Sequence, residues 1–256
     1  MAKILWRGAV ALVLTALSFV GGLAYLFALL FRRRVLAFLL FYCVFSALLL
    51  GAQWLAMDKG ENSRIPRSSV SFMTHSILRP ASPLYPILHR DWASPELRNI
   101  AMDLGRHMQT QFPGTITTTL DAGFPFSSLP LLPHLSHDDG EKLDLSLWWQ
   151  DETGKYLPGK SKSPIGYWGY ASGPTNCPQT WKDLRWDMAW LQSILPNYTL
   201  DKPRTRAALV WLANDPRVSK ILVEPHILAT LKLSHPKLKF QGCRAARHDD
   251  HIHIQL

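Results

Sequence analysis

Acidic side chains are missing from the start of this 256-residue chain: no Asp or Glu occurs in residues 1–57. That segment holds five basic residues, Lys3, Arg7, Arg32, Arg33 and Arg34, and is otherwise apolar or neutral. The chain is therefore not soluble along its whole length. Cysteine is scarce, at 3 residues, which excludes a disulfide-dense secreted scaffold. There is no internal repeat, no low-complexity tract and no phosphate-cradling glycine loop. Gly-x-Ser-x-Gly is absent too, so serine-hydrolase chemistry has no support. The formal charge of +9 is a poor argument for nucleic acid. Five of the basic residues flank apolar runs, and residues 58–256 carry 23 basic against 19 acidic side chains. No nucleic-acid partner is expected. The aromatics (Trp 10, Tyr 7, Phe 11) are too numerous for a solvated coil.

What is present begins with two uncharged runs, residues 8–31 and 35–57. Each is long enough, at about 1.5 Å per residue, to cross a hydrocarbon core of about 30 Å. Only Arg32, Arg33 and Arg34 separate them, so residues 1–57 are expected to form a two-helix transmembrane hairpin in the lipid bilayer. The rival reading of the first run is a signal peptide. The apolar part of a signal peptide spans roughly 7–15 residues, and Leu30-Phe31-Arg32 is a poor cleavage site. The triple-arginine turn favours a cytoplasmic turn, but Lys3, Arg7, Lys59, Arg64 and Arg67 lie on the other side, so charge alone leaves the side open. Cys43 reads as a small apolar residue of the second run. Cys177 and Cys243 are either a disulfide or two unrelated thiols.

Residues 58–91, rich in Pro and Ser, read as a linker, followed by a domain over 92–256. Ser94-Pro95-Glu96 predicts a helix start, with a cap, a proline at the first helical position and an early acid. That helix should run to about Gln111. Residues 115–120 and 143–149 read as strands, the second with Leu143, Leu145 and Leu147 on one face. Residues 151–178 form a long loop, of a length usually functional or mobile. Residues 181–195, 204–214 and 224–231 read as helices, 220–223 and 251–256 as strands. The expected fold is α+β, a small antiparallel sheet flanked by helices.

Two clusters carry the chemistry. The first runs from His134 through His137, Asp138 and Asp139 to Asp144; the second is His248-Asp249-Asp250-His251-Ile252-His253. On a strand His251 and His253 share a face, with Ile252 and Ile254 turned the other way. His137 and Asp144 lie seven apart, with Gly140 permitting a turn between them. Two residues from one segment and a histidine from the other would make a three-ligand site with a position left for water, the pattern of a catalytic zinc. Asp138, Asp139 and Asp249 read as solvated loop residues.

Ser136-His137-x-x-Gly140-x-x-x-Asp144 followed by His251-x-His253 resembles the zinc metallopeptidase group that includes D-alanyl-D-alanine peptidases and the hedgehog signalling domain. Within that group the chain is most similar to the penicillin-insensitive murein endopeptidase family. Its members show Pro-His-x-Ser-His-x-x-Gly before the aspartate, as residues 133–140 do, and end in His-x-x-His-x-His, matched by His248, His251 and His253. Residues 208–225 also resemble the segment before the terminal cluster, and the resemblance covers roughly residues 92–256. It implies that His137, Asp144 and His253 bind Zn2+. His251 would act as general base or transition-state partner, and His134 and His248 would complete the site. It implies peptidoglycan peptide stems as substrate, cut as a D,D-endopeptidase cuts D-Ala–meso-diaminopimelate cross-links. It also places the domain on the extracytoplasmic, periplasmic side of the cytoplasmic membrane. Lys142 stands where the family has an acid, Gln255 where an Arg follows the last ligand, and the anchor is a further departure. The alternatives are a non-catalytic zinc-containing peptidoglycan-binding module and a D,D-carboxypeptidase. In the related carboxypeptidases a glutamate three residues before the last histidine is the base. Asp250 holds that place here, but strand alternation turns it away, so His251 is preferred. Trp148 and Trp149 read as core or as stacking surfaces, and Lys155, Lys160 and Lys162 as a solvated loop or as contacts to anionic stems.

Overall fold

The uncharged run 8–31 does not form one helix. The computed structural model describes residues 1–57, 68–69, 77–125, 129, 131–177 and 189–256. In it the run is split into α1 (Ala2–Ser18) and α2 (Gly21–Ala28), with Phe19 at φ 52° between them. The reason is local. A Cβ built on Gly21 would stand 2.2 Å from Ser18 Oγ, and one on Gly22 would stand 2.3 Å from the Ala11 carbonyl oxygen, so two glycines let α2 fold back onto α1. The hydroxyls of Thr15 and Ser18 donate to the Ala11 and Leu14 carbonyls, each at 2.9 Å. With 17 and 8 residues, neither helix reaches the roughly 30 Å of a bilayer core. The expected pair of spanning helices is thus not found. Among the described residues one helix, α3 (Arg34–Met57), is long and apolar enough to cross a membrane, over Arg34–Gln53. Phe27 of α2 packs on Phe41 and Phe45 of α3, both at 5.3 Å between ring centroids.

Residues 58–67 and 70–76 of the segment read as linker lie outside the described residues. The rest of it supplies β1 (Ser68–Ser69), β2 (Leu78–Pro80) and α4 (Leu84–Ile87). β3 (Trp92–Ala93) pairs with β1 and leads into α5 (Pro95–Gln111). Ser94 caps α5 as its residue type predicts, accepting from the Leu97 N–H at 3.2 Å, with Pro95 and Glu96 in the first turn. Leu97, Ile100, Ala101, Leu104 and Met108 bury one face of α5.

The remaining elements are β4 (Thr117–Thr119), β5 (Lys142–Ser146), β6 (Trp149–Gln150), β7 (Thr199–Leu200), α6 (Lys202–Asn214), β8 (Lys220–Leu222), α7 (Pro225–Leu231), β9 (Leu238–Lys239) and β10 (His251–Gln255). Of the helix expected over 181–195, residues 181–188 lie outside the described residues and Ala189–Ser193 is a 3-10 turn. Six strands form one sheet in the order β2-β4-β5-β10-β8-β9. The sheet is mixed rather than wholly antiparallel: β2 pairs parallel with β4, and β8 parallel with β9. Each parallel pair is joined by a connection that contains a helix, α5 or α7, as parallel neighbours require.

The centre of the sheet is antiparallel. Ile252 stands opposite Leu145 and Ile254 opposite Leu143 in the β10–β5 register. All four are fully buried on the core side with Leu104, Leu209 and Ile221. Trp148 and Trp149 also belong to this core, 2% and 1% exposed, which leaves neither as a stacking surface. Cys177 and Cys243 are disulfide-bonded, with Cα atoms 5.3 Å apart.

Candidate metal centre

The same register that buries the isoleucines places His253 directly opposite Asp144, and His251 opposite Ser146, on the other face of the sheet. That face is not solvated. Asp144, Ser146, His251 and His253 are each 5% exposed or less, because the loops over 131–140 and 163–171 cover them. His137 comes from the first of these loops, where Gly140 at φ 81° turns the chain back into β5. His137, Asp144 and His253 present donor atoms within 4.8 Å of one another, a buried group that could hold a metal ion.

Two imidazoles and a carboxylate are a donor set suited to a metal ion. The His137 Nδ1–H donates to the Ala122 carbonyl at 2.7 Å, which turns Nε2 toward Asp144 Oδ1 at 3.4 Å. His253 Nδ1 is hydrogen-bonded to the same oxygen at 2.8 Å. A histidine whose second nitrogen is held by a backbone carbonyl is the usual support of a metal ligand. Burial alone would raise the Asp144 pKa. The neighbouring His137 and His251, with hydrogen bonds from His137 and His253, outweigh it and hold the carboxyl well below the usual carboxylate range. Burial lowers His253 against the pull of Asp144, whereas at His137 the Asp144 charge overcomes burial and raises it.

His251 lies beside this group, Nε2 at 3.7 Å from Asp144 Oδ2. Its Nδ1–H donates to Asp250, whose other oxygen accepts from the Trp168 N–H. Burial opposes a charge on His251, yet Asp144 and Asp250 together push its pKa up to about 9. Asp250, set aside in the sequence as turned from the site, is thus the residue that orients His251. His134 Nδ1–H donates to Asp121 at 2.8 Å, and its ring lies 5.7 Å from that of His137. His248 packs its ring 4.7 Å from His251, and its buried Nδ1 has no hydrogen-bond partner among the described residues. Burial, then His251 and His253, push its pKa well below the ordinary value.

Three contributors carry no signal in the sequence clusters. The Tyr167 hydroxyl donates to Asp144 Oδ2 at 2.6 Å and accepts from the Asp121 N–H at 3.2 Å. It comes from the long loop after β6, where the lysines rather than the aromatics draw attention. Arg90 pairs bidentately with Asp121, at 2.7 and 2.8 Å, both side chains buried. Burial opposes ionisation of Asp121, but Arg90 and His134 hold it far below the carboxylate range. Arg90 also donates to the carbonyls of Leu132, at 2.6 Å, and Leu17, at 3.2 Å, which joins the site's support to the end of α1.

Other expectations fall differently. Asp138 and Asp139 are exposed, and Lys142 pairs with Asp139 at the surface. Asp249 is not solvated: it is fully buried, ion-paired with Arg247, and burial pushes its pKa up to about 7 against that pair. Lys162 is only 8% exposed and donates to the Tyr170 carbonyl at 2.9 Å, so it is unlike a solvated loop lysine; Lys155 is exposed. Beside His134 and His251 a cleft opens between Trp168, Tyr170, Arg247 and Asp250. The Arg247 guanidinium stacks 3.9 Å from the Tyr170 ring.

No protein-family model matches this chain, and no curated protein matches it.

Proposed function

We propose that this chain is a membrane-anchored zinc metallopeptidase that hydrolyses peptide bonds in peptidoglycan, as a D,D-endopeptidase on D-Ala–meso-diaminopimelate cross-links, with its domain on the extracytoplasmic side of the cytoplasmic membrane. The observation that carries the reading is the convergence of His137, Asp144 and His253 in one buried group with His251 beside it. The spacing of these residues resembles the murein endopeptidase family, and the resemblance supplies the substrate and the side of the membrane.

His137 Nε2, Asp144 Oδ1 and His253 Nδ1 would hold the ion. Zinc in such a site supplies Lewis acidity toward a carbonyl and brings the pKa of a water to about 7. The protein's own residues do the rest. Asp250 fixes the ring of His251, so that Nε2 points into the site. Its raised proton affinity suits it to hold a proton there and pass it to the departing amine. Tyr167 and Ala122 hold Asp144 and His137 in place. The cleft beside His251, lined by Trp168, Tyr170, Arg247 and Asp250, is where a peptide stem would approach the site.

The test is a digest of purified peptidoglycan with the full chain in detergent, with and without a zinc chelator, read by mass spectrometry of the muropeptides. Chelator-sensitive loss of cross-linked dimers is expected. Release of terminal D-alanine alone would replace the endopeptidase by a carboxypeptidase. No product from a folded, zinc-loaded protein would overturn the enzyme in favour of a binding module.

A further inference from the structure

We infer that the face of the domain formed by residues 80–89 with Leu129, Leu132, Pro133 and Leu135 is immersed in the acyl chains of the bilayer that α3 crosses, seated about half-way along that span. The inference rests on α3 as a membrane span and is independent of the peptidase reading.

The first observation is where the domain is attached. The Tyr42 hydroxyl donates to the Ile87 carbonyl at 2.7 Å, and Ser46 Oγ is hydrogen-bonded to His89 Nε2 at 2.8 Å. At about 1.5 Å per residue, Tyr42 stands about 12 Å and Ser46 about 18 Å along the helix from Arg34. The apolar span Arg34–Gln53 is about 30 Å long by the same rise. These bonds therefore join the domain to the middle of the span. A domain held wholly in water would meet the helix only past its last apolar turn. Further along, Leu49 is buried while Leu48 and Leu50 remain exposed, so protein covers one side of this stretch only.

The second observation is composition. In sequence, neither 80–89 nor 129–135 contains Asp, Glu, Lys or Arg. Leu84, Ile87, Leu129 and Leu135 are 47%, 54%, 38% and 58% exposed. Both segments are fastened to the anchor: Ile87 and His89 to α3, and the Leu132 N–H to the Ala16 carbonyl of α1 at 2.9 Å. The polar groups next to them are satisfied inside the protein. His89 meets Ser46, Arg90 meets Asp121 and two carbonyls, and Tyr85 donates to the Ile165 carbonyl. Internal pairing of this kind is what a medium without water demands. Continuity with the apolar outer side of α3 selects lipid as the occupant rather than a second copy of the chain.

The test uses the full chain with Cys43→Ser, reconstituted in phosphatidylcholine–phosphatidylglycerol vesicles. Single spin labels are placed at Ile87→Cys and Leu135→Cys, with Leu40→Cys of α3 as the lipid reference and Lys155→Cys as the water reference. Ile194→Cys, a still more exposed apolar position outside both segments, serves as a control for apolarity alone. Collision with oxygen is compared with collision with a water-soluble nickel chelate. The labels at 87 and 135 are expected to match Leu40→Cys, with the oxygen-to-nickel ratio inverted relative to Lys155→Cys and Ile194→Cys. Ratios at 87 and 135 equal to that of Lys155→Cys would overturn the inference. Spin–spin broadening at 87 would also overturn it, by showing a second copy on this face. No activity enters the readout, so an inactive but correctly inserted protein still decides the question.

Discussion

Asp250 holds the imidazole of His251, its neighbour in the chain, through Nδ1–H, and is itself held by the Trp168 N–H. Sequence-adjacent residues on a strand point to opposite faces, but Asp250 lies just before β10 begins and escapes that alternation. The pair gives a clean separation of roles. His251→Ala should lower turnover by roughly 10²–10⁴-fold and leave bound zinc unchanged. Asp250→Asn should lower turnover by roughly 10–100-fold, also with zinc retained. Metal content by mass spectrometry beside muropeptide turnover checks both; loss of zinc from His251→Ala would make it a ligand instead.

Ligand replacement should behave in the opposite way. His137→Ala and His253→Ala remove a donor from the group of three, so zinc and turnover should vanish together. Because both imidazoles must be neutral to bind, and Asp144 raises the proton affinity of His137, zinc affinity should fall as pH is lowered below 7. Titration with zinc at pH 6 and pH 8 measures this; equal affinities at the two would sink it.

The metal-free protein should show its own pH signature. The His251 pKa is raised to about 9 in the fold, against about 6.5 for a free imidazole. Its contribution to stability is complete below about 6.5 and is lost as pH rises through about 9. Asp144, depressed in the fold, works the other way and loses its contribution as pH falls below the carboxylate range. Thermal unfolding of the chelated chain should therefore show a Tm that declines from pH 6.5 to 9.5. In His251→Ala that decline should be smaller; equal slopes would refute the assignment.

Arg90 and Asp121 form a buried pair, 6% and 1% exposed. Arg90→Ala leaves the buried carboxylate with His134 as its remaining side-chain partner and should cost about 3–5 kcal/mol. Arg90→Lys should recover only part, since a point charge cannot reproduce the bidentate bond and the two carbonyl contacts. Denaturant unfolding of the full chain in detergent reads both variants; an Arg90→Ala within experimental error of the parent would remove the pair from the support of the site.

What could be read in advance was local. The cap at Ser94, the alternation of Ile252 and Ile254 with two histidines, and the spacing of His137 and Asp144 each involve residues within one turn, strand or loop, where geometry follows from spacing. Tyr167, Arg90 and Asp121 escaped because they act across packing: Tyr167 lies 23 residues from the carboxylate it binds, and Arg90 lies 31 residues from Asp121. The break at Phe19 escaped for another reason. Hydropathy counts apolar residues and is blind to two glycines that let a helix turn back on itself. The parallel edges of the sheet escaped because β2 comes from a proline-rich stretch with no alternation.

β5 and β10 stand third and fourth of six strands, so Asp144 and His253 sit on the two central strands of the sheet. Backbone in that position opens only when the whole sheet opens. The Asp144 and His253 donor atoms are therefore as inelastic as the core, and their spacing is fixed by the register of β5 and β10. Any change in what the cleft admits falls instead to the loops at its rim, which carry Trp168, Tyr170 and Arg247 and lie outside the sheet register.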